Sequence, residues 1–302
     1  MSRLRASEDW PRVYPSSSLQ PMSIVVQPTT RPSRPAWIRA TAALKLAVAM
    51  LLPDGAVAQA RKDYAQTPTP KTVARRMLEI GGAGPNDIVA DLGSGDGRIP
   101  ILAAQVFGAR AIGVELDKAL HADALANARR AGVGTRVTLI NGDLFETSLA
   151  EVTLLTLYLP PSLTLRLRRR ILAQMQPGAR VVSHEFGMGA WLPDRKEVVE
   201  GRVILTWVVP ARVDGPWRLE AGGEIIDLDL RQTFQEISGA AHAKGRSAPV
   251  EAASLKGTAI RFSLALPGSA KRYFHGRVEA GTMTAAEGPE AGAVSGWRAL
   301  RQ

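Results

Sequence analysis

Cysteine is absent from all 302 residues, and histidine occurs only four times. The first absence excludes disulfides, thiolate metal sites and cysteine nucleophiles. The histidines, at 121, 184, 242 and 275, show no H-E-x-x-H or comparable spacing, so no metal site is expected. Aromatic residues are few, at 5%, but hydrophobic residues reach 45%, enough for the core of one large or two modest domains. A long apolar run is also missing. The best stretch, Ala40 to Leu52, is interrupted by Lys45 and is too short for an ordinary transmembrane helix. Charge is not balanced: 38 Lys and Arg against 28 Asp and Glu give +10. The arginines are dispersed rather than gathered in a block, so a solvated basic surface accounts for them and nucleic acid is not the expected partner.

What the chain does have is a glycine loop in an informative place. Ile88, Val89, Ala90 and Leu92 form a short apolar run, the pattern of a buried parallel strand. Gly93, Gly95 and Gly97 follow at alternate positions, and Ile99-Pro-Ile-Leu-Ala-Ala opens a helix. A strand, a glycine turn and a helix start bring backbone N–H groups and the positive helix end over one small volume. Ala111-Ile-Gly-Val-Glu115 reads as the next strand, ending in an acid at the distance of a ribose-hydroxyl acceptor. The dinucleotide fingerprint is G-x-G-x-x-G, and this loop is G-x-G-x-G with Asp91 before it and Asp96 inside it. Those carboxylates would repel a pyrophosphate and attract a sulfonium and an ammonium. A nicotinamide oxidoreductase is therefore the weaker reading.

Around this unit the chain divides into three parts. Residues 1–63 are read as a signal peptide or a disordered, membrane-proximal segment. Met1 to Arg39 is rich in Pro, Ser and Arg. Arg31, Arg34 and Arg39, the apolar run and Ala56-Val-Ala58 together have the shape of an export signal. The expected address is exported, periplasmic or membrane-associated, with the cytoplasm as the alternative; an amphipathic or membrane-skimming helix is the structural alternative to the signal. Residues 64–210 are read as the cofactor domain, an α/β fold with a Rossmann-like parallel sheet and helices on both faces. Its expected helices include Lys71 to Ile80, Ala119 to Ala131 and Pro161 to Met175, and its later strands lie near 137–143, 151–159, 179–186 and 203–209. Residues 211–302 alternate polar with apolar between glycine-rich turns, the pattern of a small antiparallel β domain, sandwich or half-barrel.

Candidate chemistry gathers at the carboxyl ends of the strands. Tyr158 precedes Pro160-Pro161 at the end of the fourth strand, where its hydroxyl or ring could orient an amine. Ser183-His184-Glu185-Phe186 ends the fifth strand, and His184 or Glu185 could accept a proton. Trp191 and Asp194 follow in a loop that could shape an acceptor pocket. Arg166, Arg168, Arg169 and Arg170 read as the solvated face of the helix after Pro161, with contact to an acidic partner as the alternative.

The acid-x-G-x-G-x-G pattern resembles the first motif of Rossmann-like S-adenosylmethionine-dependent methyltransferases. That resemblance implies that Asp91, Gly93, Ser94, Gly95 and Gly97 line the methionine part of S-adenosyl-L-methionine, that Glu115 takes the ribose hydroxyls, and that Asp143 and Leu144 lie at the adenine. Leu159 stands where amino-methylating nucleic-acid enzymes carry Asn or Asp, a departure that argues against base methylation. Asp91-Leu-Gly-Ser-Gly-Asp-Gly-Arg-Ile, Asp143-Leu-Phe, Ala179 to Phe186, Trp191-Leu-Pro-Asp194 and Thr67-Pro-Thr-Pro are similar to a bacterial group related to the mitochondrial lysine methyltransferases of the ATP synthase membrane ring. The implied acceptor is a protein lysine, with a small molecule also open. The alternative from another class is a non-catalytic cofactor- or nucleoside-binding protein that docks an envelope partner through its β domain.

Overall fold

The computed structural model describes residues 68–286 and 292–302. The segment read as an export or membrane signal lies outside the described residues, and no helix among them is long and apolar enough to cross a membrane.

The apolar run becomes β1 (Ile88–Leu92), an interior strand of a seven-stranded sheet. β2 (Arg110–Glu115) and β4 (Leu154–Leu157) pair with it in parallel, so Asp91 lies opposite Gly113 on one side and Thr156 on the other. β3 (Val137–Asn141) and β5 (Arg180–His184) extend the parallel set. β6 (Arg195–Val199) and β7 (Arg202–Val208) form an antiparallel hairpin on the edge of β5, giving the order β3-β2-β1-β4-β5-β7-β6. The sheet is therefore mixed, where strict strand and helix alternation predicts a parallel one. β6 escapes a pattern reading because Arg195-Lys-Glu-Val-Val is mostly exposed on both faces. The strand order reverses between β1 and β4, which opens a crevice at their carboxyl ends.

Four helices cover the two faces. α1 (Lys71–Ile80), α2 (Arg98–Phe107) and α3 (Lys118–Arg130) lie on one, where Val73, Met77, Ile99 and Ala128 meet Val89, Leu154, Val182 and Ile204. α4 (Pro161–Gln174) lies on the other, where Leu167 and Ile171 meet Ala90, Leu155, Leu157 and Val181. Neighbouring strand residues thus point to opposite cores, as a strand covered on both sides requires. Pro161 suits the first turn of α4 because its missing N–H has no partner to lose there. Asp117 caps α3, its side chain accepting from the amides of Ala119 and Leu120.

The C-terminal domain is a closed barrel rather than a sandwich or half-barrel. Its eight strands are β8 (Gly215–Ala221), β9 (Glu224–Thr233), β10 (Glu236–Ala243), β11 (Arg246–Lys256), β12 (Ala259–Leu264), β13 (Arg272–Glu279), β14 (Thr282–Ala285) and β15 (Arg298–Arg301). Each pairs antiparallel with the next, and β15 returns to β8, so no edge is left open. The interior is filled by side chains: Phe262 stacks on Phe274 at 4.9 Å, and Trp297 meets both edge-on at 5.8 and 5.7 Å. β10 and β11 supply Ala241, Ala243 and Ala248 to that interior, and these small residues carry little strand signal.

The barrel is tied to the sheet by close backbone contact. The Ala211 amide donates to the Gly257 carbonyl at 2.8 Å, and a side chain at Gly257 would come within 3.1 Å of the Gly178 backbone. Gly276 on β13 has a stricter demand. A Cβ there would sit 2.2 Å from the Thr284 carbonyl oxygen and 2.5 Å from the Trp297 ring. Gly276→Ala should therefore lower stability by about 1–3 kcal/mol. Urea unfolding followed by tryptophan fluorescence checks this, and an unchanged midpoint would contradict such tight packing.

Candidate active site

The glycine loop is folded by its own backbone. The amides of Gly93 and Ser94 both donate to the Val114 carbonyl, and the Gly97 amide donates to the Ser94 carbonyl at 2.9 Å. Gly93, Gly95 and Gly97 have φ of 79°, 53° and 77°, a region glycine enters without penalty. Two of them are also needed for space: a Cβ at Gly93 would lie 2.9 Å from Leu159, and one at Gly97 3.0 Å from the Ala124 methyl. Leu159, the residue that departs from the nucleic-acid enzymes, is thus the side chain that seats the loop.

Glu115 closes the loop from the next strand. One carboxylate oxygen accepts from the Gly95 amide at 2.9 Å and the other from the Asp117 amide at 2.9 Å. Asp96 does not take the role its charge suggests. Its carboxylate is clasped by Arg98 at 2.7 and 2.9 Å, which holds its pKa below the usual range and offsets its charge. Arg98 also donates to the Thr69 carbonyl at 2.9 Å, tying the segment before α1 across the loop.

Asp91 is the unusual group. It is buried, and its carboxylate accepts from the Thr156 hydroxyl at 2.7 Å. Burial pushes its pKa up to about 7; the Thr156 bond opposes the shift, and the charges of Glu115 and Asp96 add to it. The Ser94 hydroxyl beside it is buried without a partner. A raised carboxyl, an orphaned hydroxyl and a glycine cradle that side chains would fill suit a bound cation with further polar groups. The residues present thus fit S-adenosyl-L-methionine.

Other expected residues are placed less simply. Asp143 lies two residues beyond β3, is exposed, and accepts from the Phe145 amide at 2.8 Å. The Leu144 carbonyl and that of Thr147 are bound by Arg170 at 3.1 and 2.7 Å, while Arg166 lies 3.9 Å over the Phe145 ring. Arg168 donates to the Met188 carbonyl at 2.7 Å. These three arginines on α4 therefore hold loops at the site instead of forming a merely solvated face. Trp191 is fully buried, packed against Trp207 and Phe234, so it belongs to the core rather than to an open pocket. Asp194 accepts from the Val208 amide at 2.7 Å and acts as a brace within the β6–β7 hairpin. Two residues at the rim were not expected from the sequence. Leu116 is a large apolar side chain, 73% exposed, directly after Glu115, and the Asn141 side-chain amide donates to the Glu115 and Leu116 carbonyls. An apolar residue following the strand-end acid was the available signal.

The three catalytic candidates are brought together. The rings of Tyr158 and His184 lie 4.0 Å apart, and Phe186 stacks on Tyr158 at 6.0 Å. His184 is buried, with Nδ1 3.1 Å from the Thr69 hydroxyl and Nε2 without a hydrogen bond. Burial lowers its pKa and the Arg202 charge adds to that, while Glu185 opposes it. At neutral pH the ring is thus uncharged. The Glu185 carboxylate stands 3.7 Å from Nε2 and 3.8 Å from Arg202. Its backbone has φ of 66°, which strains any residue with a side chain.

Two outcomes are expected from this geometry. The folded value of Asp91 lies above the ordinary 3.8, so its contribution to stability is full below that value and is lost as pH rises through about 7. The free protein should lose stability between about pH 4 and 7, and affinity for the sulfonium cofactor should rise over the same interval. Thermal unfolding with and without cofactor measures both, and Asp91→Asn should flatten both trends. At Glu185, glycine should be about 1 kcal/mol more stable than alanine, because both remove the carboxylate and only glycine relieves the backbone. Equal unfolding midpoints for the two variants would refute the strain.

Comparison with known proteins shows the family. The model of the ANTKMT methyltransferase domain matches residues 91–195. A protein-lysine N-methyltransferase of Saccharolobus islandicus is 43% identical over 134 residues, 44% of this chain and 82% of the relative. The Xenopus laevis lysine N-methyltransferase of the ATP synthase c subunit is 30% identical over 222 residues, 72% of this chain and 92% of that protein. A solved RNA methyltransferase from Salinibacter ruber, in complex with S-adenosyl-L-homocysteine, is 47% identical and covers 49% of this chain and 96% of that one, with a TM-score of 0.48. With the acid-flanked glycine loop and the strand-end Glu115 in place, the chain belongs to the family of S-adenosylmethionine-dependent methyltransferases that includes the lysine methyltransferases of the ATP synthase c subunit.

Proposed function

We propose that the enzyme methylates the ε-amine of a lysine in a protein acceptor. The observation that carries this reading is the pairing of Tyr158 with a buried, uncharged His184 at the carboxyl ends of β4 and β5, with β4 next to the strand that carries Asp91. S-adenosyl-L-methionine, when bound, supplies a methyl group on a sulfonium, activated for in-line displacement. What this chain must add is a neutral amine held in line. A lysine begins with a pKa of about 10.4, so its ammonium has to lose a proton before it can attack.

The apolar faces of Tyr158 and Phe186 disfavour the charged amine by withholding water. The His184 tautomer that donates Nδ1–H to Thr69 leaves a lone pair on Nε2 for the departing proton. Glu185, 3.7 Å from Nε2, would then stabilise the imidazolium. Relatives whose names specify lysine methylation support the acceptor class. The basic and apolar residues between 31 and 60 support export or membrane attachment as the address of this enzyme. Recovery of the uncleaved chain solely from the soluble cytoplasmic fraction would refute that address.

The test is transfer of labelled methyl groups from S-adenosyl-L-methionine to proteins of a cell extract, with the modified residue identified by mass spectrometry. Methyl-lysine is expected, and His184→Ala should lower kcat by about 10²-fold with cofactor affinity unchanged. Label found solely on other side chains, on RNA or on small molecules would overturn the lysine reading.

A further inference from the structure

The barrel and α4 enclose a cleft that the methyl-transfer chemistry does not use. Two adjoining hollows of about 430 and 530 Å³ share Leu172, Ala173, Pro210, Arg212 and Arg301, and so form one groove. Its upper part reaches Arg169 and Phe234. Beyond that end, packing contacts lead toward the acceptor side of the active site: Phe234 stacks on the buried Trp191 at 6.1 Å and lies 5.3 Å from the Arg168 guanidinium. Gln235, next to it, donates to the Leu192 carbonyl at 2.9 Å. The loop thus held follows directly after Phe186, which stacks on Tyr158.

The groove is cationic. Arg169, Arg212 and Arg301 line it against a single carboxylate, Asp214. Arg169 is exposed and has no ion pair among the described residues. Arg212 spends one N–H on the Leu172 carbonyl at 3.0 Å and keeps its other donors. Arg301 is a fixed charge, bound to the carbonyls of Asp214 and Arg212 and lying 4.7 Å over the Trp217 ring. Leu172, Phe234 and Val278 give the groove apolar walls, which strengthen charge pairing by excluding water. Along α4, Leu172 lies eleven residues from Pro161, about 16 Å of helix, a span that about five residues of extended chain would cross. An elongated, guanidinium-lined groove whose upper end lies at Arg169 and Phe234, along the helix that starts three residues after Tyr158, has the shape and charge for a peptide and lacks the open apolar face of a lipid site.

We propose that this cleft binds an acidic segment of the acceptor polypeptide, its carboxylates paired with Arg169 and Arg212 while a lysine about five to eight residues away reaches Tyr158 and His184. The idea rests on the lysine reading for its purpose but not for its binding test. The probe is a fluorescent synthetic peptide with one lysine and a run of glutamates at that distance, compared with its all-glutamine counterpart. Anisotropy with the full chain should show the glutamate peptide binding at least about tenfold more tightly, a difference that shrinks with added salt. Arg169→Glu with Arg212→Glu should abolish that advantage, leaving S-adenosyl-L-homocysteine binding and the unfolding midpoint unchanged. In that double variant, methylation of the glutamate peptide should show a raised KM and the same kcat.

Equal binding of the two peptides, or binding untouched by the double charge reversal, would overturn the proposal. So would phosphatidylglycerol vesicles that bind through these arginines when the glutamate peptide does not. If the peptide binds through the arginines and its lysine is never methylated, the cleft assignment holds and the lysine reading fails. Should the double variant misfold, Arg169→Glu alone decides the matter, since Arg169 has no ion pair to lose among the described residues.

Discussion

Placing the Asp91 carboxyl inside the protein, near the end of the interior strand β1, constrains nearly everything around it. A buried acid needs a donor, and Thr156 on the adjacent strand supplies one, which fixes the register of β1 against β4. It also needs room in front for a cation, which the glycine loop provides by keeping side chains out of the space. Glu115 then serves two ends, holding the Gly95 amide with one carboxylate oxygen and the Asp117 amide with the other. The free site carries an acid poised near neutrality, so ligand charge and protein charge are coupled from the outset.

The acceptor side is built from a different set of constraints. Tyr158 and His184 come from neighbouring parallel strands and meet because β4 and β5 are in register at their carboxyl ends. Thr69 reaches the histidine from the segment before α1, and the Thr69 carbonyl is bound by Arg98 of the cofactor loop. One short segment therefore touches both halves of the site. α4 does comparable work from the opposite face, since Arg166, Arg168 and Arg170 hold the loops after β3 and β5. The barrel adds Phe234 beneath Trp191 and Arg168, so its position is transmitted to the acceptor loop by direct packing.

Some of this was legible in the residue order and some was not. Gly93, Gly95 and Gly97 between an apolar run and a helix have few structural solutions, and Glu115 at the end of the next strand narrows them further. Those are local rules: positive φ, strand alternation and helix starts act over a handful of residues. By the same logic the four helices and the parallel strands were readable. β10 and β11 were not, because alanine and glycine face the barrel interior and carry little strand preference of their own. Closure of the barrel depends on β15 meeting β8, a pairing between residues about eighty apart that no local pattern encodes.

Residue order was sufficient for the α/β class, the cofactor loop and its acids, since each follows from short-range stereochemistry and charge. Which charges remain available was settled by packing. Asp96 looked free and is clasped by Arg98; the α4 arginines looked solvated and three of them hold loops; Trp191 looked like a pocket wall and is core. In that arginine run Arg169 alone is left without an ion pair or loop contact among the described residues, beside a groove that exists because the barrel packs on α4. Neutralisation and burial are set by neighbours distant in sequence, and those neighbours are assigned by the packing of the whole chain.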